Sequence, residues 1–364
     1  IKMINLYDPE ILDEDIHSVT NALKNKHISG NSKPVKDFEN SLSNYLGVKY
    51  VSSCSSGTTA LHLALLSLNI GEGDEVIMPA LSYIATANAV KYVGGEPIFI
   101  DIDELTWQID VEKIESKITE KTKAIMPVHL YGNIPDLSSI KYIAEKYNLK
   151  VIHDSAEALG SKFKNVFSTN IKDVSILSFF PNKVMTTGEG GAVCTNDEEI
   201  FNLVEKLKSQ GLDGRREYFH SHIGYNYRMS GLSAALGVTQ IKRIENNIAK
   251  KQVLHNKYKE ELEQIGFEFQ QIQKEVTSSF WLITTLVPNS CSRDELKTSL
   301  LKNGIETRNI FVPLHEQTPY KNPNLDEMYV NSTNISKRGI CLPSSPNLST
   351  EDFDFIIKTI KNLV

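Results

Sequence analysis

Three short stretches hold side chains able to do chemistry, and each directly follows an apolar run. Ser178-Phe179-Phe180-Pro181-Asn182-Lys183 precedes Thr186-Thr187-Gly188-Glu189-Gly190-Gly191. A lysine set between Phe-Phe-Pro and a glycine-rich loop is an odd choice for an ordinary surface lysine, and one partly desolvated there would have a depressed pKa and be a candidate Schiff-base nucleophile. The other reading is a snorkelling lysine beside a structural turn. His153-Asp154-Ser155-Ala156-Glu157 puts a carboxylate at the end of an apolar run over 150–153, where parallel sheets place their ligands; as a bare pattern it is also a helix N-cap. Ser55-Ser56-Gly57-Thr58-Thr59 feeds an Ala/Leu-rich helix. Its free N–H groups and positive dipole end suit a phosphate, although Ser/Thr there is also an ordinary cap.

The three fit one ligand. A phosphate calls for a helix N-terminus, a pyridine nitrogen for a carboxylate that keeps it protonated, and an aldehyde for a lysine, so the expectation is a pyridoxal phosphate pocket.

These stretches have to be positioned by a sheet. Short unbroken apolar runs over 50–53, 75–79, 97–102, 124–128, 150–153, 174–179 and 191–195 predict seven strands, mostly parallel because they do not alternate. Helices are predicted between them over 58–68, 84–93, 111–118 and 137–147; in the second, Ile84, Ala87 and Val90 share a face and Gly94-Gly95 ends it. All three stretches should then lie on the carboxyl edge of one α/β sheet covered by helices. After Arg228 the pattern changes: Ile241, Ile244 and Ile248 predict a long helix leaving this unit. Beyond it come a strand over 280–287, a helix over 293–303, a short strand over 306–311 and a last helix over 351–363. The expected division is a large cofactor domain, with an N-terminal segment, over 1–245, and a small α+β domain over 246–364.

The composition excludes several other classes. The 364 residues carry 39 basic and 45 acidic side chains, a formal charge of −6, so there is no basic footprint for nucleic acid or anionic membrane. No apolar run nears the ~18 residues of a membrane-spanning helix. Cys54, Cys194, Cys291 and Cys341 are far apart, with neither zinc-ligand nor disulfide-framework spacing, and the expectation is a reduced cytoplasmic protein without metal. Ile1 and Lys2 precede Met3 and read as added residues or the end of a processed leader.

Further motifs span the chain: Gly71-Glu72-Gly73-Asp74-Glu75-Val76-Ile77, Tyr83-Ile84-Ala85-Thr86-Ala87-Asn88-Ala89-Val90, Val128-His129-Leu130-Tyr131-Gly132, Gly224-Tyr225-Asn226-Tyr227-Arg228-Met229, Ile305-Glu306-Thr307-Arg308 and Cys341-Leu342-Pro343-Ser344-Ser345-Pro346. With these the chain resembles, nearly end to end, the DegT/StrS-type sugar aminotransferases, a branch of the fold type I pyridoxal phosphate enzymes with an aspartate aminotransferase-like fold. Within that family it is most similar to the GDP-perosamine synthase branch, which shares a Glu at the position of Glu157.

The resemblance implies that Lys183 carries the cofactor and shuttles the proton, that Asp154 pairs with the pyridine nitrogen, and that Tyr83 stacks on the ring. It implies that Gly57, Thr58 and Ser178 hold the phosphate, that Asn226 reaches in from a neighbouring subunit of a homodimer, and that Glu157 lies near the ring hydroxyl. Arg228, Arg308 and His315 become candidate contacts to substrate or to the donor's carboxylate. The implied reaction moves an amino group from glutamate to a nucleotide-linked ketosugar. Departures at Ser29-Gly30-Asn31-Ser32-Lys33-Pro34, in 166–172 and at Pro181 leave the sugar and nucleotide open among GDP-, UDP- and dTDP-linked acceptors or a small phosphorylated ketone. The family's dehydratase branch carries His in place of Lys183, and a cofactor-binding regulator without turnover is disfavoured by intact Lys183 and Asp154. His129, Trp107 and Trp281 read as packing, and Arg215-Arg216 as a solvated pair.

Overall fold

The computed structural model describes residues 2–170, 173–321 and 328–364. Ile1, and the Ile171-Lys172 end of the 166–172 departure, lie outside the described residues. Helices α1 (Asp13–Lys24) and α2 (Lys33–Leu46) precede β1 (Tyr50–Cys54), α3 (Gly57–Ser67), β2 (Glu75–Pro79), α4 (Ala85–Tyr92), β3 (Glu96–Ile100), β4 (Thr122–Ile125), α5 (Leu137–Lys146) and β5 (Lys150–Asp154). A small hairpin, β6 (Lys162–Phe163) and β7 (Val166–Phe167), leads to β8 (Val174–Ser178), β9 (Gly191–Thr195), α6 (Glu198–Leu207), α7 (Gly231–Gln240) and the long α8 (Ile244–Glu263). The rest comprises β10 (Glu268–Phe269), β11 (Val276–Thr277), β12 (Ile283–Leu286), α9 (Arg293–Lys302), β13 (Arg308–Asn309), α10 (Val330–Arg338), β14 (Gly339–Leu342) and α11 (Thr350–Leu363).

The seven expected strands form one sheet in the order β1-β9-β8-β5-β4-β2-β3. All neighbours run parallel except β9, which is antiparallel to both β1 and β8. The carboxyl ends of β1, β5 and β8 therefore share one edge, as expected from their apolar character. The chain leaves β8 there and turns back directly into β9, so the 179–190 connection stays at that edge. Burial explains why the strands are continuous apolar runs: α3 packs Ala60, Leu61, Leu63, Ala64 and Leu65 against one face, and Phe38, Leu42 and Leu46 of α2 help cover the other.

A four-stranded antiparallel sheet, β10-β12-β14-β13, is backed by Tyr258 and Leu262 of α8, Leu296 and Leu300 of α9, and Phe353, Ile356 and Ile360 of α11. Helix α8 runs through position 246, and the N-terminal segment joins this second unit, with Ile4 bridging Ile305. Two expected elements are corrected. The 111–118 helix is two 3₁₀ turns, Val111–Lys113 and Glu115–Lys117, closed by i→i+3 bonds such as Lys113 N–H to the Asp110 carbonyl. The 280–287 strand starts only at Ile283, because Phe280 sits in the left-handed region (φ 48°) and cannot enter a ladder.

One buried charge ties these parts together. Lys251 of α8 is fully buried, its Nζ donating to the carbonyls of Trp281 and Ser344 at 2.9 Å each and lying over the Tyr7 ring. Burial pushes its pKa down to about 7. Between there and the ~10.4 of a free lysine, the unfolded chain binds a proton that the folded chain does not. Wild type should thus gain stability relative to Lys251→Met as pH rises through that window. Below it, both states are charged and the cost of burial is fully present. Urea midpoints of the two proteins, compared at either end of the window, should diverge; parallel midpoints would contradict this.

Candidate functional site

At the shared carboxyl edge lies a cavity of about 440 Å³ lined by Gly57, Thr58, Tyr83, Thr86, Asp154, Glu157, Ser178, Lys183, Trp281, Arg308 and Phe311, among others. A larger groove, of about 560 Å³, is lined by Lys150, Val151, Leu137 and Phe163 at the opposite end of β5, away from the edge where α/β sheets bind ligands.

The first wall is the start of α3. Ser56 caps it reciprocally, its Oγ accepting from Thr59 N–H at 3.1 Å while Thr59 Oγ1 accepts from Ser56 N–H at 3.0 Å. The N–H groups of Gly57 and Thr58 have no acceptor within the helix, and with the dipole they form an anion site. A Cβ on Gly57 would come within 2.9 Å of Ser178 Cβ, so only glycine lets the helix end approach the Ser178 hydroxyl this closely.

The second wall is the end of β5. Asp154 is 4% exposed; its Oδ2 accepts from Thr86 Oγ1 at 2.8 Å and its Oδ1 from Ala156 N–H at 3.2 Å. Burial raises its pKa, and the two donors and Lys183 pull it back. No cation lies at bonding distance from this carboxylate among the described residues, an arrangement that suits a protonated ring nitrogen from a ligand.

Lys183, in the β8–β9 connection, supplies the third. Its Nζ is 3.9 Å from Glu157 Oε1 and 3.5 Å from the centroid of the Trp281 ring. Burial lowers the Lys183 pKa and raises that of Glu157, each opposed by the other's charge. Glu157 Oε2 also accepts from Tyr131 N–H at 2.8 Å, with Tyr131 held in the left-handed region (φ 58°). The lysine's own backbone is anchored from distant segments: Tyr7 OH donates to the Lys183 carbonyl at 2.9 Å, and Trp281 Nε1–H to the Asn182 carbonyl at 2.7 Å.

The structure thus gathers Gly57, Thr58, Tyr83, Asp154, Glu157, Ser178, Lys183 and Arg308 around one cavity. His315 is 1% exposed, its ring packed on Tyr329 at 4.4 Å and beside Thr333, and it is not among the residues lining this cavity. Nor does Arg228, which packs on Gly30 and pairs with Cys54. Asn226 is exposed, bridges to Ser209 and does not line this chain's own cavity. Trp281, expected to be packing, faces Lys183; its position at the mouth of an apolar run gave no sign of this. Thr86 lay within a quoted motif, and its hydroxyl one turn from Tyr83 was the available signal. His129 is a buried histidine bonded to His153 at 3.1 Å. Among the described residues, no helix is long and apolar enough to cross a membrane and no cluster could hold a metal ion.

The chain is similar to known proteins along nearly its whole length. A family model described as the DegT/DnrJ/EryC1/StrS aminotransferase family matches residues 9–361. The chain is 41% identical over 360 residues to a protein of Escherichia coli O157:H7 named GDP-perosamine synthase, covering 99% of this chain and 98% of that one. It is 34% identical over 330 residues to the UDP-2-acetamido-2-deoxy-3-oxo-D-glucuronate aminotransferase of Pseudomonas aeruginosa, covering 90% of each. Among solved structures, a candidate sugar aminotransferase of Streptococcus pneumoniae in its PLP form superimposes with a TM-score of 0.93 at 30% identity, covering 99% and 98% of the two chains, and it has also been solved in a PMP form.

Proposed function

The chain belongs to the DegT/DnrJ/EryC1/StrS aminotransferase family, and on that premise we propose that it moves an amino group from glutamate to the keto group of a nucleotide-linked deoxysugar, with GDP-4-keto-6-deoxymannose as acceptor and GDP-perosamine as product. It is a pyridoxal phosphate-dependent aminotransferase. The observation that carries the site reading is the meeting of Lys183, Asp154 and the α3 N-terminus in one cavity. The acceptor rests on the full-length likeness to a GDP-perosamine synthase.

When bound, pyridoxal phosphate supplies an aldehyde that condenses with amines and a ring that takes up the electron pair left by a broken C–H bond. The residues present fit it. Gly57 and Thr58 N–H groups, with the Ser178 hydroxyl, would hold the phosphate dianion at the positive end of α3. Asp154 would keep a proton on the ring nitrogen, a charge-assisted bond made strong by burial. Tyr83, 58% exposed at the cavity mouth, offers its ring as a stacking face. Lys183 would bear the cofactor through its amine and, once released, would move the proton from the donor's α-carbon to the cofactor and, in the second half-reaction, from the cofactor to the acceptor's carbon, a role that a depressed pKa serves. Arg308, 57% exposed at its side chain, is the cation within reach of a donor carboxylate.

Gly57→Ala should leave the fold intact but weaken pyridoxal phosphate binding. Displacing Ser178 and one N–H costs hydrogen bonds to a charged group, about 10- to 100-fold in Kd; an unchanged titration curve would refute this phosphate site.

We further infer a homodimer in which Asn226 serves the partner's cavity; its exposure, and that of Tyr218 (84%) and Ile223 (90%) in the same loop, support this reading, and light scattering tests it. The enzyme is read as cytoplasmic, which its four unpaired cysteines fit. The test of function is one panel: glutamate with GDP-, UDP- and dTDP-linked ketosugars, products read by mass and amination position. Turnover with the GDP sugar at C4 supports the proposal. Preference for a UDP acceptor, the nucleotide in the Pseudomonas relative's name, or for a dTDP acceptor would replace the nucleotide but not the chemistry.

A further inference from the structure

We propose that Trp281 is a positioning residue for this reaction: its indole face is the seat on which the free amine of Lys183 rests whenever that amine is not joined to the cofactor. The inference rests on the reading of Lys183 as the cofactor-bearing lysine.

The geometry is direct. Lys183 Nζ lies 3.5 Å from the indole centroid, closer than its 3.9 Å to the Glu157 carboxylate and well inside the ~6 Å reach of a cation–π contact. The ring has little freedom to move away. Its Nε1–H is bonded to the carbonyl of Asn182, the residue before the lysine, and its own carbonyl accepts from buried Lys251. One face of the aromatic layer is completed by Tyr131, stacked at 5.7 Å and 9°. Indole and lysine loop are therefore fixed to each other, although one precedes β12 and the other joins β8 to β9.

A released lysine needs such a seat. Its four-carbon stem samples many rotamers when free, and proton transfer requires the amine to stay within hydrogen-bond reach of its target. A carboxylate alone would hold the ammonium form and keep its proton. A π face attracts the ammonium through its quadrupole and contacts the neutral amine as well, so it holds position without fixing the charge. Glu157 completes the cradle from 3.9 Å, an ion pair too long to be a hydrogen bond.

The test uses the full chain with two aromatic variants, Trp281→Phe and Trp281→Tyr, and two aliphatic ones, Trp281→Met and Trp281→Leu, so that loss of one to misfolding leaves a comparison in place. Pyridoxal phosphate is added to cofactor-free protein. Condensation of Nζ with the aldehyde, releasing water, is followed by the visible band, and borohydride reduction with peptide mapping identifies the lysine. kcat and KM of the loaded enzymes are measured in parallel. The aromatic variants should condense within about 3-fold of wild type and the aliphatic ones about 3- to 30-fold more slowly, the range expected for losing one desolvated cation–π contact. kcat should follow the same order with KM little changed. Aliphatic variants as fast as wild type, or aromatic variants as slow as the aliphatic ones, would overturn the role of Trp281. A reduced adduct on a different lysine would overturn the reading of Lys183 itself.

Discussion

Lys183→Ala should lose turnover entirely, at least ~10⁴-fold, because one side chain supplies both the nucleophile and the proton shuttle. The variant should also show no visible band from lysine-bound cofactor, while still binding pyridoxal phosphate through Gly57, Thr58, Ser178 and Asp154, none of which depends on the lysine. The charge at this site is not the issue, and Lys183→Arg separates the two effects. A guanidinium would still oppose Glu157 across the 3.9 Å gap, but it stays protonated at any working pH and can neither attack an aldehyde nor accept a proton. Both variants should therefore be equally inactive. In Lys183→Ala the Glu157 carboxyl loses the cation that opposes its burial, so it should rise further in pKa and become neutral, which lets the fold survive the substitution. Kinetics and spectra of the two variants, with melting curves to confirm folding, check each part.

The second large effect belongs to Asp154, and it has opposite signs with and without cofactor. In the cofactor-free chain the carboxylate is buried with two neutral donors, Thr86 and the Ala156 N–H, and burial holds its pKa up. Asp154→Asn removes that buried charge. The Ser82–Thr86 hydroxyl pair, where either oxygen can donate, can reverse to accommodate the amide, so the cofactor-free melting temperature should hold or rise. With pyridoxal phosphate bound, the same substitution removes the charge that keeps the ring nitrogen protonated. A lost charge-assisted bond and a poorer electron sink should lower kcat about 10²- to 10³-fold, and affinity about 10-fold. The stabilisation gained on adding cofactor should shrink accordingly, since it scales with RT ln(1 + [L]/Kd). Full activity in Asp154→Asn would remove the pyridine-nitrogen assignment.

What the sequence revealed of this molecule, and what it concealed, follows from where the information lies. Strands buried on both faces must be unbroken apolar runs, so β1, β2, β5, β8 and β9 could be placed to within a residue or two. A residue after such a run necessarily sits at a sheet edge, and Gly57, Asp154 and Lys183 were legible for that reason. Strand order and the reversal of β9 were not, because pairing partners leave no periodic mark on either strand. Helix α6, by contrast, does carry legible marks, Asp197 as cap before Glu198-Glu199 and Ile200, Val204 and Leu207 on one face, although it was not among the expected elements. Trp281 was misjudged for a deeper reason: an aromatic at the start of an apolar run looks the same whether its face meets leucines or a lysine, and only the packing of two distant segments decides. The surroundings of His315 were hidden for the same reason, since a histidine near an arginine motif gives no sign that Tyr329 will pack on its ring.

The central claim, that Lys183 and Asp154 serve amino-group transfer to a nucleotide sugar, is tested most directly by nitrogen-15-labelled glutamate with GDP-4-keto-6-deoxymannose and the pyridoxal phosphate-loaded enzyme. The label should appear on C4 of the GDP sugar with wild type and not with Lys183→Ala. Label remaining wholly in glutamate, with this acceptor and with its UDP- and dTDP-linked counterparts while the cofactor is bound, would contradict the account.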